Sequence, residues 1–300
     1  MTPYLGHFAA LATSLCWSVT SLFFTDAGQR VGPPVVNRVR LLLAVIFVVV
    51  IHLLMRGEAL PLGTEPFRWG WLALSGVLGF VMGDAFLFEA FVMIGPRLTW
   101  LLMSMVPVIS GLLAWGLLGE DLETHQWLGV ALTVSGVALV MTERQGEQSR
   151  NAGEKRPISG VLLGLGAALG QASGLVTSKL GLEGAFPPLS GNLIRLLSAT
   201  VVIWAFTLVR GRARSSLGAV RDQPRALASL TAGVLTGPVL GVTLSLFAVQ
   251  NAPVGIASTL MSLPPVILLP VDRFLFGVKI GLRAIVGTLL AFGGTALLFL

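Results

Sequence analysis

The chain has 300 residues, 54% of them hydrophobic and only 11% charged, with a mean hydropathy of +0.86, whereas soluble domains carry about 25% charged residues. A water-soluble globule and a disordered chain are both excluded, because apolar side chain is abundant and net charge per residue is small. A single cysteine, Cys16, rules out an intrachain disulfide or a cysteine metal cage, His7, His52 and His125 are too scattered to suggest zinc, and the net charge of +6 collects between apolar runs.

In chain order, apolar stretches of about 20 residues predict ten membrane helices, roughly 5–24, 35–55, 70–94, 97–118, 126–142, 158–179, 189–209, 226–249, 254–276 and 281–299. The fold class expected is all-α and polytopic. Breaks fall at polar or turn-forming clusters, among them Asp26 to Arg30, Gly95-Pro96-Arg97, Thr142 to Arg156, Arg210 to Arg225 and Ala252-Pro253. The first span lacks a basic leader and runs directly into a polytopic pattern, so it reads as a retained helix. Pro107, Pro264 and Pro265 lie inside spans and predict kinks in helices four and nine.

An internal repeat organises these spans. Shifted by 158 residues, Leu102-Met-Ser-Met-Val-Pro-Val108 falls on Leu260-Met-Ser-Leu-Pro-Pro-Val266, identical at five of seven positions. Gly79 and Gly83 meet Gly237 and Gly241 at the same shift, and a slightly smaller one pairs Asn37-x-x-Arg40 with Asn192-x-x-Arg195. The division is a first repeat over 1–145, a polar linker over 146–157 and a second repeat over 158–300. Five helices per copy is an odd number, so the second copy enters the membrane from the opposite side. Such inverted repeats build a site at their interface that opens to either side in turn, which is alternating-access transport.

Two five-helix repeats, a proline in the fourth helix of each, and Leu118-Gly119-Glu120 closing that helix with Gly129 and Gly136 in the next resemble the EamA domain of the drug/metabolite transporter superfamily. The likeness covers nearly the whole chain. It departs from the pattern at Val278, where the second copy lacks the closing glutamate, and at Gln171, which stands opposite Trp17. The resemblance implies a secondary transporter of amino acids, metabolites or drugs, similar to bacterial exporters of the inner membrane.

Polar residues at bilayer depth carry the functional reading, since an ionisable group there costs at least about 2.5–3.5 kcal/mol on insertion scales. Asn37 and Arg40 share one helix face, as do Asn192 and Arg195. Two readings stay open for each arginine: a clamp on carbonyls or a carboxylate, and a ligand for an anionic group. Arg38 is expected to snorkel to the interface. Depth suggests a Glu89–Arg40 pair, and Asp84, deeper and without an evident basic partner, is the first candidate for proton coupling, with Glu89 beside it as an alternative. Trp17, Trp100, Ser104, Gln171 and Ser262 complete the expected cavity lining, though the tryptophans also suit lipid anchoring. Asp272 and Arg273 read as interfacial.

No hydrolase or metalloprotease motif and no nucleotide-binding Gly-x-x-x-x-Gly-Lys is present, so an enzyme or direct ATP drive is not expected, nor is a cofactor, a metal or a nucleic-acid partner. The partners expected are lipid, a small organic substrate and protons. A non-transporting sensor or assembly subunit on the same bundle is the alternative. Thirteen Lys and Arg fall in connections after odd-numbered helices, against Arg56, Arg68 and Lys179 on the other side, which predicts that both termini face away from the cytoplasm.

Overall fold

The computed structural model describes residues 4–143, 158–276 and 281–299, and these are helices and short connections with no strand among them. The linker 146–157, Val278 and the side chains of Asp272 and Arg273 lie outside the described residues. Helices α1 (Leu5–Val31) and α2 (Pro33–Arg56) are separated by Gly32 alone, whose φ of +85° suits glycine, with Pro33 following at the first helical turn. The expected break at Asp26 to Arg30 is helical instead. Arg30 donates to Asp26 at 2.8 Å, so this charge cluster is an i,i+4 pair on a continuing helix.

Helix α3 (Pro66–Gly76) passes through a π-helical segment, Val77–Gly83, into α4 (Asp84–Met103). The break expected at Gly95-Pro96-Arg97 is absent, and the turn comes at Ser104-Met105 before α5 (Val106–Leu118), which carries Pro107 in its first turn. Pro96 removes a single amide donor, whereas two helix ends in hydrocarbon strand several backbone groups. Then follow α6 (Thr124–Glu143), α7 (Ile158–Gly181), α8 (Pro188–Val209) and a short α9 (Ala213–Arg221) within the basic connection between spans. Helix α10 (Pro224–Val234) enters a second π-helical segment, Leu235–Gly241, and leaves it as α11 (Val242–Asn251). Helices α12 (Val254–Met261), α13 (Pro264–Phe276) and α14 (Leu282–Leu297) complete the chain, and the kink before Pro264 falls where expected.

Among the described residues, six helices are long and apolar enough to cross a membrane: Leu5–Val31, Pro33–Arg56, Pro66–Leu87, Ile158–Gly181, Pro188–Val209 and Pro224–Asn251. Four shorter apolar stretches, Val106–Leu118, Thr124–Val140, Val254–Pro270 and Leu282–Leu297, accompany them. The repeats clasp each other by exchanging partners. Helix α1 packs on α10 and α11, and its counterpart α7 packs on α3 and α4; α5 meets α12 and α6 meets α14. This is the pairing a pseudo-two-fold axis between the copies produces.

Small residues bring those helices close together. A Cβ on Gly170 would lie 2.9 Å from Gly83 Cα and 3.0 Å from Leu78 O, and one on Gly174 would lie 3.2 Å from Gly79 Cα. Backbone meets backbone there, as in small-residue contacts between membrane helices. Gly170→Val should therefore lower the thermal midpoint in detergent by several degrees, whereas Gly116→Ala, with nothing within 4 Å of the added Cβ, should leave it unchanged or raise it slightly. Thermal unfolding of the two variants beside wild type checks this.

Candidate functional site

The two π-helical segments are the repeat's own counterparts, since Val77–Gly83 shifted by 158 is Leu235–Gly241. A π turn widens the helix, closing its backbone bonds over five residues, as from the Asp84 amide to Gly79 O and from the Val242 amide to Gly237 O, and its carbonyls can take a further donor from a side chain. Gln171 donates from Nε2 to Gly79 O at 3.2 Å, and Asn192 donates from Nδ2 to Pro238 O at 2.8 Å. The glycine that ends each segment receives a side chain from the opposite repeat: a Cβ on Gly83 would sit 3.3 Å from Gln171 Nε2, and one on Gly241 would sit 3.1 Å from Trp17 Nε1. Trp17 and Gln171 are thus structural equivalents, as their alignment suggests.

Around the first segment a closed polar network forms. Asp84, the first residue after the widened turn, is ion-paired with Arg40 Nη2, and its other oxygen accepts from Gln171 Nε2 at 2.9 Å. Arg40 Nε donates to Asn37 Oδ1 at 2.9 Å, one turn back on α2. The expectation of a Glu89–Arg40 pair is therefore corrected. Glu89 lies on an exposed face of α4, and five residues of helix turn it about 140° from Asp84, so only one of the two acids can face α2. Facing decides over depth, because an arginine side chain spans more than a helical turn.

Around the second segment the equivalent residues do not close. Asn192 turns to Pro238 O and, at 3.0 Å, to Thr243 Oγ1. Its Oδ1 is buried without a partner among the described residues, and so is Arg195 Nε. The guanidinium of Arg195 lies over the Phe80 ring, 4.7 Å from its centroid. Val242 occupies the place of Asp84.

The remaining expected lining residues disperse. Ser104 is buried near the α4–α5 turn; Ser262 is half-buried and donates back to Thr259 O at 2.7 Å; Trp100 is exposed. Arg38 does reach the helix end, donating to Ser216 Oγ of α9 at 3.0 Å. Hydroxyl pairs that sequence reasoning missed tie the repeats together, Thr20 to Thr236 at 2.9 Å and Ser110 to Ser258 at 2.6 Å.

A cross-repeat clasp was also missed. At the end of the bundle that holds the termini, Glu120 pairs with Lys179 and accepts from Val254 N–H at 2.7 Å, at the start of α12. Lys179 Nζ also donates to Ala252 O at 2.8 Å, and Gln250 donates to the carbonyls of Leu182, Gly184 and Phe186. A carboxylate at a helix N-terminus meets both free amides and the positive end of the helix dipole. The Leu-Gly-Glu motif was the available signal: Gly119 takes φ +65° to end α5 and turn Glu120 across. Two cavities of about 420 and 510 Å³ open at this same end, lined in part by Arg56, Pro187 and Thr243, and by Arg56, Glu65 and Ser190.

A model of the EamA-like transporter family matches residues 4–142 and again 158–300. The chain belongs to the EamA-like transporter family. It is a membrane transporter of the drug/metabolite transporter type, each EamA-like repeat corresponding to one half of the bundle. No curated protein matches it in sequence. Among solved structures, "Crystal structure of protein" superposes over 97% of this chain and 95% of its own with a TM-score of 0.78 at 17% identity, a likeness of fold.

Within the EamA-like bundle, Arg40 and Asp84 should behave as one unit. Removing one member of a buried pair strands the other and costs about 3–5 kcal/mol, whereas replacing both by apolar side chains is much milder. Thermal unfolding of Arg40→Met, Asp84→Leu and the double variant should show each single change more damaging than the pair together.

Proposed function

We propose that this protein is a secondary active exporter of small organic solutes, amino acids, metabolites or drugs, working by alternating access across a bacterial inner membrane through ten membrane-spanning segments. The observation that carries the reading is the partner exchange between repeats, with polar groups gathered at the two widened turns where the halves meet. Trp17, Asn37, Arg40, Trp100, Ser104, Gln171, Asn192, Arg195 and Ser262 are assigned to the substrate pathway. Asp84 is assigned to proton coupling in preference to Glu89, because Asp84 faces the other repeat. While charged it neutralises Arg40 and holds α2 to α4; a proton on it removes that attraction and leaves Arg40 to seek another partner, so proton binding and helix movement become linked. The Glu120–Lys179 clasp closes the terminal end and must part when that end opens.

Purified protein in proteoliposomes, given a labelled amino-acid and metabolite library with and without a pH gradient, should accumulate at least one solute only when the gradient is present. Asp84→Asn should lose that accumulation while still exchanging labelled for unlabelled solute. Accumulation at the wild-type level in the variant would remove Asp84 from coupling, and a protein that moves nothing would be the sensor or assembly subunit.

The thirteen-to-three distribution of Lys and Arg supports placing both termini on the non-cytoplasmic side. Leu217 is exposed on α9, at the opposite end from the termini. In a Leu217→Cys variant that also carries Cys16→Ala, an impermeant thiol reagent should fail to label intact cells and succeed on inverted vesicles; the reverse pattern turns the molecule over.

A further inference from the structure

Arg195 carries a charge at membrane depth with nothing among the described residues to neutralise it. It lies seven residues into α8, about 10 Å along the helix at 1.5 Å per residue, and is 4% exposed. Its Nε is buried without a partner, and its guanidinium forms no hydrogen bond or ion pair with any described residue. The Phe80 face beneath it offers only a weak attraction compared with a counter-ion.

The first repeat shows what the satisfied form looks like. Arg40 has an acid from α4 and gives its Nε to Asn37 Oδ1. In the second repeat those same two atoms, Arg195 Nε and Asn192 Oδ1, are both left open. The missing acid is a matter of sequence, because Val242 holds the place of Asp84. The side of the guanidinium is not tightly packed either: a Cβ added at Gly79 would meet Arg195 Nη2 at 3.6 Å and Gln171 Oε1 at 3.8 Å, ordinary contact distances. An ionised group in hydrocarbon is costly enough that it faces a partner or a water-filled path. Here no described residue supplies the partner, and Asn192 Oδ1 beside it lacks a donor.

We infer that Arg195 and Asn192 form an anion subsite of the transport site, and that the solutes carried bear a carboxylate or phosphate, with an N–H or O–H group nearby for Asn192. This rests on the transport reading above and narrows its substrate class. Arg195 takes the oxyanion in two parallel N–H donations, which lysine cannot reproduce. Asn192 Oδ1, one turn away on the same helix face, accepts from the neighbouring donor group.

Thermal unfolding in detergent tests the inference on the full chain, with three matched probe pairs: alanine against alaninamide, succinate against succinamide, and glycerol 3-phosphate against glycerol. At least one oxyanion probe should stabilise the wild type where its neutral partner does not, and the alanine or succinate pair against the phosphate pair tells a carboxylate site from a phosphate site. Arg195→Met removes an unneutralised charge without leaving a cavity, so its midpoint without probe should hold or rise, and its response to the oxyanion should weaken at least about tenfold. Val242→Asp should recreate the Arg40–Asp84 arrangement in the second repeat and abolish the response by occupying Arg195 internally. Should Val242→Asp not fold, Arg195→Met alone decides. A lower midpoint in Arg195→Met marks a structural clamp and overturns the inference, as does an undiminished response in a folded variant, or a wild type stabilised by no oxyanion or equally by the neutral partners. Gradient-driven uptake of neutral solutes alone would leave the transport reading standing and this inference refuted.

Discussion

Hydrocarbon offers no water to an unpaired backbone group or charge, and the widened turn at Val77–Gly83 is where this protein concentrates both. The looser helix there bonds the Gly79 carbonyl to the Asp84 amide five residues on and leaves its second lone pair open to a donor from another helix. Gln171 supplies it, but its backbone can come close enough only because Gly170 and Gly174 stand beside it and Gly79 and Gly83 face it. Gln171 then has its second contact on Asp84, and Asp84 holds Arg40. The chain of dependence therefore runs from four glycines to one carbonyl, one amide, one carboxylate and one guanidinium, across three helices and both repeats.

Much of this was legible in the sequence, and the part that was not has identifiable causes. Apolar length indicated an all-helical membrane bundle, and the shift of 158 residues indicated two repeats, because both rest on composition that many residues share. Asn37-x-x-Arg40 and its copy were legible as buried pairs, since three-residue spacing fixes a common face. The Asp84–Arg40 pair was not, because the wider turn before Asp84 shifts its facing away from an ideal 3.6-residue pattern, and depth alone favoured Glu89. Glu120 stood out only through its motif. Its partners Lys179 and Val254 lie 59 and 134 residues away in sequence, beyond any local pattern. Asp26 and Arg30 misled because the same charges end a helix when they face water and lengthen it when they pair one turn apart.

The differences between the repeats say more about work than their likeness does. Likeness builds the axis: Gly83 receives Gln171 as Gly241 receives Trp17. Difference places charge. One arginine is neutralised within the protein, and the other has no counter-ion among the described residues, so the two repeats differ in charge compensation at equivalent positions. Burying such a charge lowers stability, and a sequence that keeps it while packing glycine against glycine around it is holding a group in a state that something else completes.

The two ends of the bundle are closed by different chemistry, and that bears on how it moves. At the terminal end Glu120 joins three elements at once, the close of α5, Lys179 of α7 and the first amide of α12. At the other end cross-repeat ties run from Ser229 of α10 to Asp26 of α1, whose charge is already shared with Arg30 in an exposed pair, and from Arg38 of α2 to Ser216 of α9. An exposed pair of that kind contributes little, about 0–1 kcal/mol, while a half-buried carboxylate held by an ammonium and a backbone amide loses more when its partners leave. In the alternating-access cycle proposed above, Glu120 must find water as Lys179 withdraws, and the free energy for that step would have to come from new interactions where the widened turns and the open arginine are.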